Sequence, residues 1–213
     1  MKEKVFNNYF HYVKNYLERN GGDKSPNPFH KFRSRADHIR RVYIWTTRLL
    51  EKDTDLSEEE AEALLTAAIF HDIGYNSRES KKAHAERSAI IFKEYATHYG
   101  LDNKLVDRVY YLISNHSNKE LLEKEDTPLD LVILLEADLL DEEGAMGIAF
   151  DCMTAGAAKA NSFMEALKYI EEYSSNILEE DPMVTPYAKE CWNDKKSFIN
   201  EFIKRYKFDL GIE

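Results

Sequence analysis

Apolar residues recur every three to four positions along most of the chain, and no stretch alternates convincingly at period two. Phe6, Phe10, Val13 and Leu17 predict a first helix to about Arg19, stopped by Asn20-Gly21-Gly22 and followed by a Ser25-Pro26-Asn27-Pro28 loop. A second helix, from the mid-thirties to Lys52, sets His38, Val42, Trp45 and Leu49 on one face. The third opens at Ser57 with Glu60 as a capping box, carries Leu64, Leu65, Ala68, His71 and Asp72, and ends at Gly74. A fourth covers about Ala83 to His98 before Gly100, and a fifth holds Leu105, Val109, Leu112 and His116. Thr127-Pro128, cap and first turn, starts a sixth helix lined by Leu131, Leu134, Leu135 and Asp138. The small residues of Gly144-Ala145-Met146-Gly147-Ile148-Ala149 suit close helix approach. Helices from about Ala158 to Leu178 and from about Tyr187 to Tyr206 finish the chain. The expectation is an all-α bundle, one domain over residues 1–213, with the first and last helices packed on the middle. The stripe of Trp192, Lys195, Ile199, Phe202 and Tyr206 buries within the chain or forms a homodimer contact.

Composition supports long helices: 213 residues hold only 8 Gly and 5 Pro. Aromatics at 12% exclude intrinsic disorder. The net charge of −10 argues against a nucleic-acid polymer as partner, because such binding runs on phosphate neutralisation by Lys and Arg. No apolar run is long enough to span a bilayer, and Met1 to Asn8 lacks the character of a signal peptide. A cytoplasmic protein with no membrane contact is expected, its Cys152 and Cys191 reduced and partly buried.

Four helices place an ionisable group where their leucines point: His38, the pair His71 and Asp72, His116, and Asp138. A buried, unpaired charge costs several kcal/mol, so such groups are paired or hold a cation. A lone inward His is usually a satisfied core residue. Agreement among four helices makes one shared partner the simpler explanation, and imidazole with carboxylate suits a divalent ion.

The ordered motifs resemble the HD superfamily of metal-dependent phosphohydrolases. Asp37-His38-Ile39-Arg40-Arg41-Val42 is similar to its first histidine motif. Ala67-Ala68-Ile69-Phe70-His71-Asp72-Ile73-Gly74 is similar to its His-Asp doublet, and Glu136-Ala137-Asp138-Leu139-Leu140-Asp141 to its last aspartate motif. His84-Ala85-Glu86-Arg87-Ser88-Ala89, Asn115-His116-Ser117 and the Gly144 to Ala149 stretch resemble segments of one bacterial branch. The resemblance spans about residues 30–155. It implies an HD-type helical bundle, a divalent metal (Fe, Mn, Ni, Co, Mg or Zn) on His38, His71, Asp72 and Asp138, and hydrolysis of a small phosphorylated substrate such as a nucleotide. In some branches two further histidines build a second metal site, here His84 and His116. Their other role is a contact to phosphate beside a single metal.

The remaining roles follow from charge and position. Asp72 holds metal and takes a hydrogen bond from water. Asp141, one turn past Asp138, orients the site or protonates a leaving group. Among Lys31, Arg33, Arg35, Arg40 and Arg41, the last two lie nearest the metal motif, and Arg41 is the stronger phosphate candidate. Arg87, a turn after His84 and so aimed at the same site, and Lys81 are further substrate-binding candidates, while Arg78, Lys81 and Lys82 sit in a polar loop read as a lid or a surface connection. His11, His30 and His98 carry no such support. Family nucleotidases often place an acid three residues after the doublet; here that residue is Tyr75. The family also contains dinuclear-iron oxygenases, and a metal- or nucleotide-binding module without turnover is a third reading.

Overall fold

Nine α-helices account for most of the described residues, which are 2–25, 27–53, 55–75 and 81–212 of a computed structural model; the side chains at 2, 3, 53 and 81–83 lie outside that description. They are α1 (Lys2–Arg19), α2 (Arg35–Asp53), α3 (Glu58–Phe70), α4 (Lys81–Tyr99), α5 (Asn103–Asn115), α6 (Leu129–Asp141), α7 (Ala145–Ala157), α8 (Phe163–Glu172) and α9 (Pro186–Asp209). No strand is present among the described residues, only an isolated bridge between Lys24 and Ser34. The all-α, single-domain expectation holds, and one hydrophobic cluster runs from Phe6 to Ile199. No described helix is long and apolar enough to cross a membrane.

At the centre α2 packs along α6, and α3 lies against both α2 and α5. Val42, Leu49, Leu64, Leu112, Leu131 and Leu135 are fully buried there. The α1 stripe meets α2 and α3, with Phe10 5.1 Å from Tyr43 and Tyr9 5.5 Å from Phe70 between ring centroids. The α9 stripe buries within its own chain: Trp192 and Ile199 are buried, and Trp192 Nε1 donates to the Glu180 carbonyl at 3.0 Å. Gly147 fits the close-approach reading, because a Cβ there would meet the Glu142 carbonyl at 3.0 Å.

Several boundaries differ from the sequence expectation. The Ser57–Glu60 capping box forms, but α3 stops at Phe70 and α5 at Asn115, so His71 and His116 are cap residues in the following turns. Thr127 does not cap α6; its hydroxyl donates to the Leu121 carbonyl at 2.6 Å instead. The segment expected as one helix to Leu178 is broken. Lys159 takes a positive φ of 63°, Ser162 caps the short α8 by accepting from Glu165 N, and Ser174–Glu179 is a 3-10 turn. Cys152 is exposed rather than partly buried.

Two carboxylates tie the frame around α2 and α6. Asp23 Oδ1 accepts from Ser34 Oγ at 2.7 Å and Ala36 N at 3.0 Å, fixing the start of α2. Burial opposes its ionisation, but those donors outweigh it and hold its carboxyl below its ordinary 3.8. A depressed carboxylate stabilises the fold above its unfolded pKa and ceases to as pH falls through its folded one. Asp23→Asn should therefore flatten the loss of stability below pH 4 in acid titrations of unfolding. Glu136, fully buried, accepts from Val184 N at 2.5 Å, Thr185 N at 2.8 Å and Thr185 Oγ1 at 2.7 Å, joining α6 to the start of α9. Glu136→Ala strands those donors and should cost about 3 kcal/mol in denaturant melts.

Candidate metal centre

Three imidazoles reach the site with their tautomer fixed. His71 Nδ1 lies 2.9 Å from the Ala68 carbonyl, and His116 Nδ1 lies 2.7 Å from the Ile113 carbonyl. Each acceptor is three residues back, at a helix end where carbonyls lack intrahelical partners. A carbonyl only accepts, so each ring donates from Nδ1 and leaves a bare lone pair on Nε2. His38 does the same through Asp141 Oδ2 at 2.8 Å. One ring nitrogen anchors and the other is aimed.

These Nε2 atoms converge on Asp72. His38 and His71 Nε2 are 3.3 Å apart and lie 3.6 and 3.7 Å from Asp72 Oδ2. Asp138 Oδ1 closes that group at 3.3 Å from His38 and 3.9 Å from His71. On the other side, His84 and His116 Nε2 are 3.0 Å apart and lie 3.1 and 3.4 Å from Asp72 Oδ1. Asp72 Oδ1 is buried and accepts no hydrogen bond. Facing lone pairs and an orphaned carboxylate oxygen are repulsive unless a cation lies between them. Donors about 2.1 Å from one ion sit roughly 3.0–3.5 Å apart, so both groups fit a divalent ion. His38, His71 and Asp72 form one such cluster and Asp72, His84 and His116 a second.

Three acids at the site each have a base of their own. Arg35 Nη1 donates to Asp72 Oδ2 at 2.5 Å, Lys119 Nζ to Asp138 Oδ2 at 2.6 Å, and Arg41 Nε and Nη2 to Asp141 at 2.7 and 3.0 Å. Burial would raise all three carboxyls. Arg35 and then His71 outweigh it at Asp72, and Lys119 and His38 at Asp138, holding both well below 3.8; His38 and Arg41 hold Asp141 below that value too. Burial lowers His71 to about 3, so it is neutral at pH 7 and free to ligate. Burial also works against His38, yet the Asp138 and Asp141 carboxylates beside it raise it overall.

The turn that carries the doublet is clamped to α4. Gly74 N donates to Ser88 Oγ at 2.9 Å, and Arg87 Nε donates to the Gly74 carbonyl at 2.6 Å. A Cβ on Gly74 would meet Ser88 N at 2.5 Å, so only glycine permits this approach. The clamp carries His84 to Asp72.

The structure thus gathers His38, His71, Asp72, Asp138, His84 and His116. Asp141 sits behind His38 with its oxygens taken by Arg41 and His38, in the orienting place of the two roles expected for it. Arg87 is placed at the turn rather than at the ligand cluster. Arg40 is exposed, its guanidinium 5.4 Å from the Phe10 ring, while Arg41 also lines a cavity beside the site. Arg78 and the side chains of Lys81 and Lys82 lie outside the described residues. Two residues escape sequence reasoning. Arg35 hides among five neighbouring basic residues, and Lys119 sits in a 3-10 turn with no periodic signal. Tyr75, three residues after the doublet, lays its ring 3.7 Å from the Arg35 guanidinium.

A model of the HD domain matches residues 35–143, which hold every ligand candidate. The chain belongs to the HD-domain family. HD domains bind divalent metals, in keeping with the two clusters. The protein YpgQ of Bacillus subtilis is 26% identical over 182 residues, 83% of this chain and 84% of YpgQ. A structure of YpgQ in complex with ADP is 20% identical, with a TM-score of 0.67 over 98% of this chain and 96% of that one. An HD-superfamily hydrolase from Bacillus thuringiensis is 20% identical, with a TM-score of 0.68 over the whole of both chains.

Asp141→Asn replaces the charged acceptor that fixes His38 in this HD domain with a neutral amide. It should lower affinity for Mn²⁺ or Co²⁺ about 10- to 100-fold in equilibrium dialysis, while the helical circular dichroism stays intact.

Proposed function

We propose that this HD protein is a metal-dependent phosphohydrolase of a small phosphate ester, of the nucleotide class. The observation that carries the reading is Asp72, whose two oxygens face two different pairs of imidazoles. His38, His71, Asp72 and Asp138 would hold one divalent ion, and Asp72, His84 and His116 a second. A divalent cation so held makes water a better nucleophile near neutral pH and draws electron density from a phosphoryl oxygen.

The chain's own groups do the rest. Asp138, its side chain 20% exposed, marks the open side together with Lys119 at 32%. A phosphate arriving there meets the Lys119 ammonium, and Arg41 and Arg33 lie along the adjoining cavity. Asp72, kept ionised by Arg35, accepts a hydrogen bond from water and so orients it. Asp141 and the Ala68 and Ile113 carbonyls keep the rings from turning, which preserves the geometry between turnovers. The complex of YpgQ with ADP supports a nucleotide as the substrate class.

The test is phosphate release from a panel of nucleotides and simple phosphate esters, after chelation and return of Mn²⁺, Co²⁺ or Ni²⁺. Restored release in wild type, with a loss of at least about 1,000-fold and of bound metal in Asp72→Ala, is the expected result. Oxygen consumption without phosphate release, or full metal and rate in Asp72→Ala, would overturn the reading.

A further inference from the structure

A cavity of about 710 Å³ adjoins the metal centre, and beyond Arg33, Arg41 and Asp141 its lining is not used by the chemistry above. Its size is that of a small-molecule site. Arg41 and Asp141 line its near end, and Asp141 is the residue that holds His38. Its flank is aromatic: Phe32, from the loop before α2, and Phe150, on α7, stand with ring centroids 5.5 Å apart. Its far end is polar and buried. Asp151 is only 4% exposed, and Oδ2 accepts both hydrogen bonds from Ser174, at 3.1 Å from N and 2.5 Å from Oγ. Asp151 Oδ1 takes no hydrogen bond from the described residues. Thr154, a turn further along α7, is 9% exposed, and its hydroxyl oxygen is buried with no partner. A native fold rarely leaves a buried hydroxyl unmatched without a use for it.

From this layout we infer that the cavity is a nucleobase subsite, selective for bases that carry an exocyclic amino group. The inference rests on the hydrolase reading only for the place of the phosphate. An aromatic flank takes the π-face of a flat heterocycle. The far end offers a carboxylate, which accepts, and a hydroxyl, which donates or accepts. An exocyclic amine satisfies Asp151, and an adjacent ring nitrogen satisfies Thr154. Adenine, guanine and cytosine provide such a pair. Uracil and thymine flank their ring N–H with carbonyl oxygens, which a carboxylate repels. The same carboxylate repels phosphate, so the anionic end of the ligand turns toward Arg41 and the metal centre. The cavity thereby sets both the choice of base and the direction of binding.

The test is calorimetric binding of AMP, GMP, CMP, UMP and ribose 5-phosphate to the protein without added metal. The three amino-bearing nucleotides should bind about 10-fold more tightly than UMP, in line with the cost of leaving a polar group unpaired, and ribose 5-phosphate more weakly than any of them. Asp151→Asn should shrink the gap between AMP and UMP to about 2-fold, and Phe150→Ala should weaken every nucleotide by about 10-fold. Thr154→Val removes a single hydroxyl and should narrow the gap even where Asp151→Asn disturbs the Ser174 contact. Equal binding of AMP and UMP, ribose 5-phosphate binding as tightly as nucleotides, no binding at all, or a gap that survives both Asp151→Asn and Thr154→Val would overturn the subsite. Phosphate release with added metal is read separately. Its absence beside intact base preference removes the hydrolase reading and leaves the subsite standing.

Discussion

The Asp72 carboxylate faces one pair of imidazoles with each of its oxygens, and it is buried. Burying that charge is costly, and the surrounding architecture offsets it from several directions. Arg35 reaches it from the first turn of α2, His84 from α4, and His71 and His116 from the turns that follow α3 and α5. The helices that carry these groups share the central core, so packing and site geometry are one problem. Leu64, Ile69, Leu112 and Leu135 hold the bundle at the spacing the polar cluster needs.

The rings are held by a repeated local device. At the ends of α3 and α5 a histidine turns back on a carbonyl three residues earlier, which anchors the ring at the point where the helix stops. The stop of the helix and the aim of the ligand are then the same event. This is why α5 ends one residue before His116 and α3 two residues before Asp72, the last inward groups of their stripes. The stripe reports which side faces inward, whereas the boundary is set by a side-chain hydrogen bond that a periodicity argument does not contain.

Much of the architecture was readable in the chain, and so was the gathering of His38, His71, Asp72, His116 and Asp138. Each lies in register with leucines whose inward direction is plain from spacing, and His84 follows from motif order. What escaped depends on contacts distant in sequence. Arg35 looks like one of several surface cations until α3 brings Asp72 to it across 37 positions. Lys119 stands in an irregular turn. Arg87 follows His84 by a turn, and the carbonyl that its Nε holds at the tight passage of Gly74 is equally absent from a periodic pattern. The break at Lys159 is similarly invisible to a periodic pattern, since Ser162 caps α8 through local geometry.

The pairing of Asp72, Asp138 and Asp141 with Arg35, Lys119 and Arg41 has an electrical consequence. Because each acid is already balanced, the protein supplies almost no surplus negative charge to offset an incoming dication. Tyr75 deepens this by placing an uncharged ring beside Arg35. On the hydrolase reading, a loaded centre would keep most of the ions' positive potential, which a polyanionic substrate would discharge.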